Sequence, residues 1–289
     1  MKPDVVIFWV NLKYLYLFPT LLITKALGLK TVYWGHGCDL EDLESEPKKM
    51  AYALEHWICD AIILYAEHLT KYVSPRFHYK VFVANNTLNF ASYSIPFYDK
   101  NSVLAKYGIN THKNIICMAR MEKRKRIDDL IKAFDLLNYR NYGLILVGPD
   151  TDGILKDVQS DNIYKLGPVY GEESLALLSS ADVYCLPGHI GLSIVDAFYC
   201  GLPIVTEDTE NAPEIIYLKN GINGFIVPKS DVHQLAIKLQ LLLENDILRE
   251  QFSQAARNEI MTNGHIKVMC EGFAKALQFV CDIKSSRRI

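Results

Sequence analysis

The decapeptide Pro187-Gly188-His189-Ile190-Gly191-Leu192-Ser193-Ile194-Val195-Asp196 joins two glycines, a hydroxyl and a carboxylate. It follows an apolar run and opens a helical pattern. The first amides of a helix have no partner within it, and the helix dipole adds positive potential there, so such a turn suits a phosphate or diphosphate. Glycines at the turn let a ligand approach the backbone closely. Asp196, about one turn into the helix, can accept hydrogen bonds from two sugar hydroxyls, as an acidic residue does for ribose in other nucleotide sites. The competing reading is structural: Ser193 caps the helix and Asp196 completes an S-x-x-D capping pair.

A second candidate is the run Arg120-Met121-Glu122-Lys123-Arg124-Lys125-Arg126, which follows the apolar stretch Asn114–Met118. Fixed cations beside a departing diphosphate stabilise the charge that grows on it. Taken alone, the run equally reads as a solvated cluster pairing with Glu122, Asp128 and Asp129. Lys123, Arg124 and Arg126 are left to that second reading. A third candidate is His36, set between Gly35 and Gly37 after Val32-Tyr33-Trp34. Flanking glycines at a strand end expose an imidazole more readily than a packed core does.

The elements that must position these residues are legible as short apolar runs. Strands are predicted at Val5–Val10, Lys30–Trp34, Ala61–Tyr65, Val81–Ala84, Asn114–Ala119, Gly143–Val147, Ile163–Leu166, Val183–Leu186, Leu202–Thr206 and Phe225–Val227. A helix is expected after the first of them. Further helical patterns cover Ile127–Leu137, Ser174–Ser179, Ile194–Tyr199, Val232–Glu244, Ile247–Met261 and Val268–Val280. Strands separated by helices read as right-handed βαβ units in parallel sheets. A polar, aromatic stretch at Ser92–Asn101 suggests a boundary. The expected division is a short N-terminal α/β domain (1–98), a fuller C-terminal α/β domain (99–267), and a final helix with a basic tail at Lys284–Arg288 (268–289). Ligands of such folds sit at the carboxyl ends of the strands.

The 289 residues are half hydrophobic and carry a formal net charge of -2, so no global basic field favours nucleic acid. Seven cysteines form no CxxC pair, and most lie in apolar runs. They read as reduced core residues of a cytoplasmic protein. The apolar stretch Val5–Ile23 is broken by Asn11, Lys13 and Pro19, and reads as strand plus helix rather than as a membrane span. Asp150-Thr151-Asp152 reads as a polar loop, so no metal site is expected.

Further pieces follow in order: Ala197-Phe198-Tyr199-Cys200-Gly201-Leu202-Pro203-Ile204-Val205, then Pro213-Glu214, then Asn220-Gly221-Ile222-Asn223-Gly224-Phe225. With the Gly191-Leu192 turn and Asp196, this succession resembles the retaining glycosyltransferases of family 4. The resemblance covers nearly the whole chain and implies the GT-B fold, an α/β architecture of two Rossmann-like domains with parallel sheets facing a central cleft. It implies a hexosyltransferase-type enzyme moving a sugar from a nucleoside diphosphate sugar to a hydroxyl acceptor. That donor is a substrate, and no separate cofactor is implied. The residues matching the family's catalytic positions are His36, towards the donor sugar, and Arg120 and Lys125, on the diphosphate. The donor-binding matches are Gly188, Gly191, Leu192, Ser193 and Asp196. Implied partners are the nucleotide sugar and a glycan or lipid-linked acceptor, as in bacterial surface polysaccharide synthesis. The cytoplasm is the expected site, with peripheral contact at the inner membrane face through Lys13, Tyr14 and Tyr16 as an open alternative.

Two departures stand out. The family often carries a second acidic residue eight positions before the one at 196, and Gly188 stands there. His189 could return some polarity. In addition, the family's opening strands and a glycine-rich turn have no counterpart before Val5. A non-catalytic or truncated nucleotide-sugar-binding protein, and a GT-B sugar-nucleotide epimerase, are therefore kept as alternatives.

Overall fold

The structure is a computed structural model that describes residues 3–9, 14, 16–40, 42–90, 93, 99–137 and 141–286, with side chains through residue 282. Two compact units emerge: Met1–Thr87 with His265–Ile289, and Leu88–Gly264.

In the first unit four parallel strands lie in the order β1 (Val5–Trp9), β2 (Lys30–Gly35), β3 (Ala61–Leu64) and β4 (Val81–Val83). β3 is buried along its whole length, as its uninterrupted apolar sequence Ala-Ile-Ile-Leu requires. Helix α1 (Leu17–Ala26) connects β1 to β2, and α2 (Glu46–Ile58) connects β2 to β3. The stretch that could be mistaken for a membrane span is thus a strand and a helix, with Val10 and Lys13 outside the described residues. Among the described residues no helix is long and apolar enough to cross a membrane.

The second unit holds a six-stranded parallel sheet in the order β10-β9-β8-β5-β6-β7. The strands are β5 (Lys113–Met118), β6 (Tyr142–Val147), β7 (Ile163–Leu166), β8 (Val183–Cys185), β9 (Ile204–Glu207) and β10 (Gly224–Val227). The chain winds outward from β5 through β6 to β7, then restarts beside β5 with β8 and winds the other way. The switch point between β5 and β8 is where a parallel α/β sheet opens a crevice for ligands. The helices are α3 (Lys100–Lys106), α4 (Ile127–Leu136), α5 (Glu172–Ser180), α6 (Ser193–Tyr199), α7 (Val232–Glu244) and α8 (Asp246–Asn263). Ile115, Ile116, Leu144, Ile145, Val183, Tyr184, Ile204 and Val205 are completely buried in its core.

The structure redraws the expected ends of the domains. The compact division falls after Thr87, while most of the Ser92–Asn101 stretch lies outside the described residues. Its last part belongs to α3, whose first turn is capped by Asp99 accepting from the Ser102 amide at 3.0 Å. The final helix α9 (Ile266–Ser286) is no separate appendage but part of the first unit. Phe273 packs edge-on against Trp34 and Phe279 against Phe82, while Ala276 and Val280 are fully buried against β2–β4. Residues 284–286 continue that helix, so a basic tail beginning at Lys284 is corrected; Arg287 and Arg288 lie outside the described residues. The reading of the cysteines as core residues holds for Cys59, Cys117, Cys185 and Cys200; Cys38 is half-buried, and Cys270 and Cys281 are exposed on α9.

Candidate active site

The second unit carries a cavity of about 810 Å³ at the carboxyl ends of β5, β6 and β7 and the start of α6. Met118, Ala119 and Arg120 line it from the end of β5, and Leu192, Ser193 and Asp196 from the turn into α6. Four residues singled out by sequence therefore share one wall: Arg120, Leu192, Ser193 and Asp196. Arg120 is the one cation among the described residues lining this cavity. Its side chain is 63% exposed, and its Nε lies 3.3 Å from Glu122.

The capping alternative fails on geometry. The residue preceding α6 is Leu192, and no side chain caps the helix. Ser193 instead hydrogen-bonds to the buried Tyr184 hydroxyl, which donates to the Met118 carbonyl at 3.0 Å. Asp196 accepts a hydrogen bond from the Tyr93 hydroxyl at 3.0 Å. Burial raises the Asp196 carboxyl, and the Tyr93 hydrogen bond opposes that rise.

Lys125, Gly188 and Gly191 do not line the cavity. Lys125 is half-buried, and its ammonium donates to the His189 carbonyl at 2.6 Å. Burial, with the nearby Arg124 and Arg120 charges, brings it down to about 8. The Gly188 amide donates to the Lys125 carbonyl at 3.0 Å. A Cβ on Gly188 would fall 2.3 Å from the Arg124 carbonyl oxygen and 3.0 Å from the Lys125 carbonyl carbon. The turn after β8 thus lies directly on the backbone of residues 124–125, and position 188 has no room for a side chain. His189, at φ 37, has its Nδ1 2.8 Å from the Glu210 carbonyl. Gly191 accepts from the Ile194 amide at 3.0 Å.

Of the residues assigned to a solvated basic cluster, Lys123 and Arg124 are exposed, whereas Arg126 is half-buried. Arg124 pairs with Glu122 at 2.7 Å, and Arg126 pairs with Asp129 and, at 2.7 Å, with the buried Glu207. Asp150 accepts from the Ile154 and Leu155 amides, and Asp152 from the Lys123 amide, so both carboxylates brace loop backbone. His36 belongs to the first unit, half-buried, with its ring 4.8 Å from that of Tyr65.

Sequence reasoning missed one wall of the cavity: Pro168, Val169, Tyr170 and Gly171 in the connection from β7 to α5, and Glu172 at the start of α5. The signal available was a Gly-Pro turn after a predicted strand. Tyr93 was missed as well, and it has no local signature.

The model of the family "Glycosyl transferases group 1" matches residues 99–259. The chain belongs to that family. An uncharacterised glycosyltransferase of Methanocaldococcus jannaschii is 26% identical over 273 residues, covering 86% of this chain and 68% of the relative. A GDP-mannose-dependent phosphatidylinositol monomannoside mannosyltransferase of Corynebacterium glutamicum is 26% identical over 197 residues, 62% of this chain and 51% of that one. The capsular polysaccharide biosynthesis glycosyltransferase CapM of Staphylococcus aureus is 24% identical over 193 residues, 62% of this chain and 49% of that one. The chain thus spans about half the length of the last two. Among solved structures, Anabaena HepE in complex with UDP matches with a TM-score of 0.81 at 16% identity, covering 95% of this chain and 78% of that one. The fold is therefore GT-B, with the two parallel sheets described above.

Proposed function

We propose that this group 1 glycosyltransferase moves a hexose from a nucleoside diphosphate sugar to a hydroxyl acceptor, with retention, in the manner of family 4. The observation that carries the reading is the meeting of Arg120, the α6 turn and Asp196 on one cavity wall at the switch point of the sheet. Arg120 and the amides of the turn hold the diphosphate, Asp196 takes the ribose hydroxyls, and Lys125 supplies positive charge from beneath the turn. His36 is assigned to the donor sugar on the strength of the family resemblance. In the transfer, the bond between the anomeric carbon and the β-phosphate oxygen breaks, the acceptor oxygen bonds to that carbon, and the departing phosphate takes the acceptor proton. Arg120 stabilises the charge that grows on the leaving group.

Relatives in capsule and O-antigen synthesis support a surface polysaccharide pathway. We further infer a cytoplasmic site of action, because the donor is a nucleotide sugar and all seven cysteines are free thiols. Contact with the membrane face through the exposed Tyr14 and Tyr16 belongs to the same proposal. Gly188 does not speak for a decayed enzyme, since the packing at that position demands a glycine.

The test is a thermal-shift panel of UDP- and GDP-sugars followed by assay of sugar release. A stabilising response is expected, lost in Arg120→Ala and kept in the exposed Lys123→Ala. Silence towards every nucleotide refutes the proposal.

A further inference from the structure

Helix α1 has no polar face. Its two threonines turn their hydroxyls onto the helix's own backbone, Thr20 donating to the Tyr16 carbonyl and Thr24 to the Thr20 carbonyl, each at 2.7 Å. Lys25, its one charged residue, is bonded to Asp60 at 2.9 Å. A helix apolar all round belongs in an interior. Yet Leu22, Ile23 and, one residue past the helix end, Leu27 are exposed.

The strand beside it is uncovered as well. Among the described residues β1 pairs only with β2 and ends the sheet. The Lys30 amide donates to the Asp4 carbonyl at 3.3 Å. Backbone groups alternate sides along a strand, so those of Val6 and Phe8 also face β2, and the N–H and C=O of Val5, Ile7 and Trp9 point out of the sheet's edge. The side chains of the same three residues share one face. Val5 packs there against the cluster that α9 completes, while Ile7 and Trp9 are 38% and 49% exposed. An apolar edge strand with outward-facing backbone groups is a template for another strand. Lys25 apart, no charged side chain occurs among the described residues from Val5 to Leu27, so no like charges meet when this edge faces a copy of itself.

We propose that β1 pairs antiparallel with β1 of a second copy of this chain, about a two-fold axis at Ile7, joining two four-stranded sheets into one of eight. The two Ile7 residues exchange both backbone hydrogen bonds, and each Val5 stands opposite the other copy's Trp9. The placement of α1 fits the same axis. Neighbouring strands lie about 4.8 Å apart, and α1 touches both β1 and β2. Its axis therefore runs over the gap between them, about 4.8 Å from the two-fold. The two copies of α1 then stand about 9.6 Å apart, inside the roughly 8–10 Å of packed helices. At about 200 Å² for a whole side chain of this size, Ile7, Trp9, Leu22, Ile23 and Leu27 leave roughly 500 Å² uncovered, more than half of the about 800 Å² that each partner of a stable interface buries. The backbone of the strand edge adds to it. The pairing is independent of the transferase reading.

The experiment is sedimentation velocity on the full chain at micromolar concentration, with oxidative cross-linking beside it. A discrete dimer is expected. Ile7→Lys sets two ammonium groups at the axis and should raise the dimer dissociation constant at least tenfold. Ile7→Pro removes the outward amide and should do the same while sparing the bonds to β2, since an edge strand tolerates proline there. Ile237→Lys, at an exposed position of α7, should leave the dimer intact. The Cα atoms of a hydrogen-bonded antiparallel pair lie about 5.5 Å apart, within disulfide reach. Ile7→Cys should therefore form a disulfide-linked dimer with oxidised glutathione that neither the unaltered chain nor Val6→Cys forms. This readout stands even if the lysine and proline variants fold poorly. A monomer overturns the proposal, whether it stays free or sediments with phosphatidylglycerol vesicles. So do a dimer untouched by both Ile7→Lys and Ile7→Pro, association that runs on past the dimer, and cross-linking no faster at position 7 than at position 6.

Discussion

Restoring the family's missing carboxylate at position 188 should damage this protein rather than improve it. The Cβ of any residue at 188 would lie 2.3 Å from the Arg124 carbonyl oxygen, where real Cβ contacts stay beyond 3.0 Å. The two backbones must therefore part by at least 3.0 − 2.3 = 0.7 Å. Neither can yield easily. The Gly188 amide is bonded to the Lys125 carbonyl, and the Lys125 ammonium returns a bond to the His189 carbonyl, so the displacement strains two hydrogen bonds at once. Overpacking of this kind costs about 1–3 kcal/mol. For a cooperative unit this size, about 2 kcal/mol corresponds to a fall in Tm of roughly 4–8 °C. Calorimetry of Gly188→Ala should show that fall, with a weaker UDP response because Leu192 and Ser193 lie on the displaced turn. Gly188→Glu should lose more stability and gain no transfer. A Gly188→Ala protein with unchanged Tm and UDP affinity, or a Gly188→Glu protein with faster transfer, would falsify the packing argument.

Two further predictions concern titration. The Lys125 ammonium, held down to about 8, should regain its proton when a diphosphate arrives. UDP binding at pH 8 should then take up as much as about half a proton, read by calorimetry in buffers of different ionisation enthalpy, and Lys125→Met should take up none. An uptake of zero in the native protein confines Lys125 to bracing the turn. In the first unit, burial raises Glu55 to about 7 and lowers His56 to about 4. Glu55 contributes stability that is present below its unfolded value and lost as pH rises towards 7; His56 contributes stability present above its unfolded value and lost as pH falls towards 4. The slopes oppose one another between roughly pH 4.5 and 6.5. Glu55→Gln removes one of them, so urea denaturation of that variant should show stability climbing by about 3 kcal/mol from pH 4 to 6.5. A flat profile in Glu55→Gln refutes the assignment.

The strands were readable because nearly all are short apolar runs buried in parallel sheets, and all ten occur within two residues of their expected limits. Helix α2 was not readable, and its burial explains why. Its inward residues include Tyr52, Glu55 and His56, while Met50, Leu54 and Trp57 are exposed. Hydrophobic periodicity assumes the opposite. Helix α3 is seven residues long and signalled chiefly by its Asp99 cap. The allegiance of α9 depends on Phe273 and Phe279 meeting Trp34 and Phe82, contacts that no local pattern encodes. In the candidate site, Arg120 and Asp196 were legible through spacing and family resemblance. The bracing function of Lys125 was hidden because a charge run does not reveal which member turns inward.

Asp196, proposed above to take the ribose, already has one oxygen accepting from a tyrosine hydroxyl. A carboxylate buried to this degree is costly to leave unpaired, as the upward pressure on its pKa records. On the proposed assignment, Tyr93 holds the place at Asp196 that a ribose hydroxyl would take. Its ring is held edge-on to Tyr199, with centroids 5.3 Å apart, and next to Phe90. If Asp196 takes the ribose as proposed, donor binding exchanges one hydroxyl for another instead of creating a new bond. On that proposal affinity comes mainly from the diphosphate and the base, and Arg120→Ala should cost more UDP affinity than Asp196→Asn, read by titration calorimetry; the reverse order refutes it.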